Sequence, residues 1–96
     1  MFARVTSMQG PPDQVDELAR RFQEQAVPFA RQLSGFKGVY WLANRQTGTV
    51  LGVALWESEE AMRASEAVVE QRRKETAQAM GATIESVEAY EVIAQA

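Results

Sequence analysis

The sequence predicts an α+β fold in the order β-α-β-β-α-β, a four-stranded antiparallel sheet with two helices on one face. Three observations predict it. Two long segments repeat apolar residues at spacings of three and four. Four shorter segments are rich in β-branched and aromatic residues. Glycine and proline punctuate the joins between them. The 96 residues fit one domain, 1–96.

Phe2 to Met8 reads as the first strand, and Gly10-Pro11-Pro12 breaks it. Asp13, Asp16 and Glu17 then place negative charge at a helix start, where the dipole favours it. Val15, Leu18, Ala19, Phe22, Ala26, Phe29, Ala30 and Leu33 mark one face of a long amphipathic helix. Pro28 inside it removes a donor and should kink or tighten it. Gly35 suits a left-handed cap. Phe36 to Asn44 and Thr49 to Glu57 read as a hairpin around Gln46-Thr47-Gly48. Ser58 is the N-cap of a second, Ala-rich helix running to about Met80, with a break conceivable near Glu66 or Ala67. Its buried side is expected to include Ala61, Met62, Ala64, Ser65, Val68 and Val69. Gly81 stops it, and Thr83 to Ala94 forms the last strand. This is the ferredoxin-like pattern.

The chain has no His and no Cys. That excludes disulfides, thiolate chemistry, an imidazole base and His- or Cys-ligated metals, so no metal and no cofactor are expected. The formal net charge of −3 argues against nucleic acid as a partner. Neither a membrane span nor a signal peptide is evident, and a cytoplasmic setting is the expectation. The run Arg72-Arg73-Lys74, between Glu70 and Glu75, reads first as a solvated helix face.

Both hairpin strands are apolar on both faces. Two helices cover only one face, so a homodimer through the other sheet face is expected. Leu51, Val53 and Leu55 look suited to packing the helices, while Gly52 and Ala54 beside Trp56 leave space for a pocket. With a three-residue loop, Leu42 pairs with Gly52 and Tyr40 with Ala54, which puts Tyr40, Leu42 and Asn44 around that pocket. A two-residue loop would bring Val39, Trp41 and Ala43 there instead, because one residue of slip inverts the faces. The small residues favour the first register. Arg4, in mid-strand, should meet Glu88 or Glu91 across the sheet, or an anionic ligand.

The segment Leu55-Trp56-Glu57-Ser58-Glu59-Glu60-Ala61 at a strand-to-helix junction, and Val87-Glu88-Ala89-Tyr90-Glu91-Val92 in the last strand, resemble the antibiotic biosynthesis monooxygenase-like members of the dimeric α/β barrel superfamily. The resemblance implies a homodimer with facing sheets and a pocket between sheet and helices in each protomer. Its activities include cofactor-independent oxygenation of aromatic polyketides, quinol oxidation and haem degradation. Trp56 matches a pocket Trp of the polyketide branch. Gly52 stands where that branch has Asn and Met62 where it has Tyr, while Arg72 or Arg73 approximates its helix Arg. The haem-degrading branch uses a His ligand that this chain lacks. The resulting expectation is a cofactor-independent monooxygenase of a small hydrophobic or aromatic molecule. The alternatives are a non-catalytic or stress-associated binding protein, and a sheet face used only for dimerisation. Trp56, Tyr40, Asn44, Leu42, Gly52, Met62 and Arg72 are the candidate ligand contacts; an empty pocket of at least ~300 Å³ beside Trp56 would favour a ligand-binding protein, and a packed one would sink the first two readings.

Overall fold

The computed structural model describes all 96 residues. Its strands are β1 (Phe2–Gln9), β2 (Phe36–Asn44), β3 (Thr49–Trp56) and β4 (Thr83–Glu91). They form one antiparallel sheet in the order β2-β3-β1-β4. The first helical run is α1 (Val15–Arg21), a π-helical segment (Phe22–Ala26) and α2 (Val27–Ala30), entered through a 3₁₀ turn at Pro12–Gln14. The second is α3 (Glu59–Met80), unbroken through Glu66 and Ala67. The predicted ferredoxin-like arrangement is the one observed. No helix is long and apolar enough to cross a membrane.

Caps fix the helix ends. Ser58 Oγ accepts from the Ala61 N–H at 3.1 Å, and Gly81 closes α3 in the left-handed region at φ 66°. Pro28 acts differently from expectation. Its ring cannot donate and crowds the carbonyl four residues back. The backbone loosens into the wider π form just ahead of it, where tightening or a kink was expected. β4 stops at Glu91, short of Ala94. Along α3, Met62, Ser65 and Ala77 are buried, whereas Ala64 is exposed and Val68 is 48% exposed, against expectation.

The hairpin presents the alternative faces, through a longer loop rather than a shorter one. Asn44 pairs with Thr49, Trp41 with Gly52 and Val39 with Ala54, across a four-residue turn. The Asn44 side chain explains the extra residue. Its Oδ1 accepts from the backbone N–H groups of Gln46 (2.9 Å) and Thr47 (3.2 Å), while its carbonyl accepts from the Gly48 N–H at 2.8 Å. This Asx turn consumes Arg45 as a loop residue. One residue of slip exchanges the faces of β2. Val50, Gly52, Ala54 and Trp56 therefore face the helices together with Val39 and Trp41. Leu51, Val53 and Leu55 point away from the helices, beside Tyr40 and Leu42, which reverses the expected packing face.

The tightest core lies at the turn end of the sheet, where Met8, Leu18, Phe22, Val50 and Ala77 pack together. Trp41 stacks on Phe22 with ring centroids 4.3 Å apart and planes 7° apart. At the other end, the Gly35 carbonyl accepts from the Glu57 N–H at 2.7 Å. A Cβ on Gly35 would lie 2.5 Å from the Ala61 Cβ, so the end of the first helical run and the start of α3 nearly touch.

Candidate active site between sheet and helices

Between these two ends the helices leave a half-open cavity of about 170 Å³. Gly52 and Ala54 belong to its sheet side, Trp41 and Trp56 are its large aromatic walls, and Phe22 and Phe29 reach it from the first helical run. The volume falls below the ~300 Å³ of a typical ligand pocket. It matches the scale of a ~150 Å³ cavity known to hold one benzene ring. The open side leaves room for more of a molecule outside.

Three of the seven sequence candidates line it: Trp56, Gly52 and Arg72. Trp56 is 1% exposed, meets Phe36 edge-on at 5.6 Å, and lies 5.5 Å from the Arg4 guanidinium carbon. Gly52 gives space to Trp41, since a Cβ there would lie 3.2 Å from the indole. Arg72 lies over the Phe29 ring at 3.9 Å, a cation–π contact joining the two helical layers. The other four lie elsewhere. Tyr40 and Leu42 are on the opposite sheet face, 66% and 52% exposed, because of the register. Asn44 is spent on the turn. Met62 is buried but absent from the cavity wall, and its carbonyl accepts from Arg4 Nη2 at 2.5 Å.

Arg4 is the main polar feature of the inner wall. It is 5% exposed. Its partner is Glu66 of α3, with Nε 2.7 Å from Oε2, rather than Glu88 or Glu91 of the neighbouring strand. Register accounts for this, because Arg4 pairs with Ala89 while Glu88 sits opposite Val5. Arg4 Nη2 also donates to Ser65 Oγ at 3.1 Å, and Arg73 Nη1 shares Glu66 at 3.3 Å. Burial lowers the Arg4 pKa; Glu66 opposes that shift and Arg73 adds to it. The guanidinium stays charged, as arginine does throughout proteins. Arg21, Arg73 and Glu75 also line the cavity. A helical wheel would have found Arg73, since Met62, Glu66, Val69 and Arg73 follow one another at spacings of three and four. Their charges suggest a solvated face instead.

Fold and site together define a ferredoxin-like domain with a ligand-sized cavity between sheet and helices. The sequence model of the antibiotic biosynthesis monooxygenase family matches residues 1–74, and the chain belongs to that family. Among curated relatives, the uncharacterized protein Rv2557 of Mycobacterium tuberculosis is 31% identical over 94 residues, covering 98% of this chain and 42% of the relative. The chain thus spans about two fifths of the length of that relative. Among solved structures, the haem degrader MhuD of M. tuberculosis, with two haems bound, superposes with a TM-score of 0.78 at 23% identity, covering 100% of this chain and 99% of that one. SnoaB, a cofactor-independent oxygenase of Streptomyces nogalater, gives 0.71 at 17%, covering 98% and 94%. The ActVA-Orf6 monooxygenase of Streptomyces coelicolor, in complex with nanaomycin D, gives 0.70 at 18%, covering 99% and 92%. At these identities the structural likeness shows the fold.

Haem does not fit this cavity. The lining contains no His, Cys or Tyr, and a porphyrin is far larger than the single ring the closed part can hold.

Proposed function

We propose that this protein is a cofactor-independent monooxygenase acting on a small, flat, hydrophobic or aromatic molecule. The observation that carries the reading is the half-open aromatic cavity walled by Trp41 and Trp56 and edged by arginines. The ring lies against Trp56, inside walls that keep water away. The arginines stabilise the anion that the substrate must become before it can reduce oxygen. Glu75 is the one carboxylate of the lining and the candidate to take the substrate proton. One oxygen atom enters the substrate and the other leaves as water, so each substrate molecule consumes one O₂.

The working unit in this reading is a homodimer through the outer sheet face, where Tyr40, Leu42 and Tyr90 are at least half exposed. A single domain 1–96, a cytoplasmic setting and the absence of a nucleic-acid partner complete it. Oxygen-electrode assays with anthrone and quinol substrates test it. Stoichiometric uptake that falls at least tenfold in Trp56→Phe is expected, a typical loss for a misplaced substrate. Uptake unchanged by that substitution refutes the site. A second reading, a binding protein without turnover, is favoured by the cavity's lack of His, Cys and Tyr. Binding of such rings without oxygen uptake would establish it.

A further inference from the structure

Two buried donors of the cavity wall have no acceptor: Arg4 Nη1 and Trp56 Nε1. Their residues are 5% and 1% exposed, and both line the cavity. The Arg4 guanidinium carbon is 5.5 Å from the Trp56 ring centroid, so the two residues are neighbours in the wall. Every other nitrogen of the Arg4 head is engaged, Nε by Glu66 and Nη2 by Met62 and Ser65. Buried donors are nearly always paired, and two orphans on neighbouring residues ask for an acceptor that the protein itself does not supply.

Charge points the same way. The chain carries a formal net charge of −3, yet Arg4, Arg21, Arg72 and Arg73 line this cavity against the single carboxylate of Glu75. Glu66 serves both Arg4 and Arg73. No carboxylate lies within ion-pairing distance of Arg21 or Arg72. An acidic protein has thus concentrated positive charge around this aromatic cavity.

We propose that the ligand of this cavity is an aromatic carboxylate, its ring against Trp56 and its two carboxylate oxygens on Arg4 Nη1 and Trp56 Nε1. Two donors on two side chains call for two acceptor oxygens on one small group. A carboxylate supplies them with the charge an arginine prefers, whereas a neutral quinone or alcohol oxygen brings no charge. Arg21 and Arg72, which also line the cavity, add to the attraction for the carboxylate end.

This inference rests on the cavity being a ligand site, and one experiment separates the two claims. The whole protein is titrated calorimetrically with 2-naphthoate and with its neutral isostere 2-naphthamide. Naphthoate is expected to bind about tenfold or more tighter, the scale of one charge-assisted contact. Trp56→Phe keeps a stacking ring and removes one donor, so it should weaken both ligands but the acid more, and shrink the acid's advantage. Arg4→Lys keeps the charge but loses the fork, and should do the same. Equal binding of acid and amide to the wild-type protein overturns the carboxylate assignment and leaves the cavity reading standing. If neither binds, both fall.

Discussion

Gly35 carries two constraints at once. Its φ of 78° is disfavoured for a residue with a Cβ, and that Cβ would collide with Ala61. Gly35→Ala should therefore destabilise the fold by roughly 2 kcal/mol or more, beyond the ~1–2 kcal/mol of left-handed strain alone. Urea unfolding of the two proteins measures it, and a wild-type midpoint in the variant would contradict the close approach. The sequence marks Gly35 as the cap of the first helix, but that helix ends at Ala30 with Arg31 as its cap, and Gly35 takes its left-handed φ in the turn before β2. The role of Arg4 was only half legible. A charge in mid-strand announces burial, but its partner lies 62 positions away on a helix whose rotation sequence periodicity sets only loosely.

At the scale of elements, all four strands and both helical runs could be read from apolar period and punctuation. The face of β2 could not. It depends on whether Arg45 pairs or turns, and Asn44 settles that with two side-chain hydrogen bonds. Tyr40 and Leu42 went outside and Trp41 inside on that one local choice. The π segment was equally hidden, because Pro28 signals disturbance without saying whether the helix narrows or widens. Pro28→Ala restores the donor and should let the run relax toward regular α geometry. A higher melting temperature with weaker naphthoate binding is expected, since Phe29, Ala30 and Leu33 lie beyond the widened turn and line the cavity. Thermal melts and titration of the same variant check both halves. A variant that binds as well as wild type would show that the widened turn does not shape the site.

For the whole molecule, the sheet has one face under helices and one face rich in Leu51, Val53 and Leu55 with exposed Tyr40 and Leu42. In water such a face associates. Light scattering at micromolar concentration should give twice the chain mass of 10.7 kDa, and Leu42→Glu should give the single mass with the helical signal retained. A wild-type protein of 10.7 kDa would mean that this face stays bare in solution.

The two helical runs are held together at both ends of the cavity, by the turn at Gly35 against Ala61 at one end and by Leu18 and Phe22 against Ala77 at the other. A bow tied at both tips can flex only at its middle, and that is where the π segment and the Arg72–Phe29 contact lie. Amide exchange in Phe22–Ala26 is expected to be faster than in the buried turns of α3, and equal protection in both would mark the widened turn as rigid.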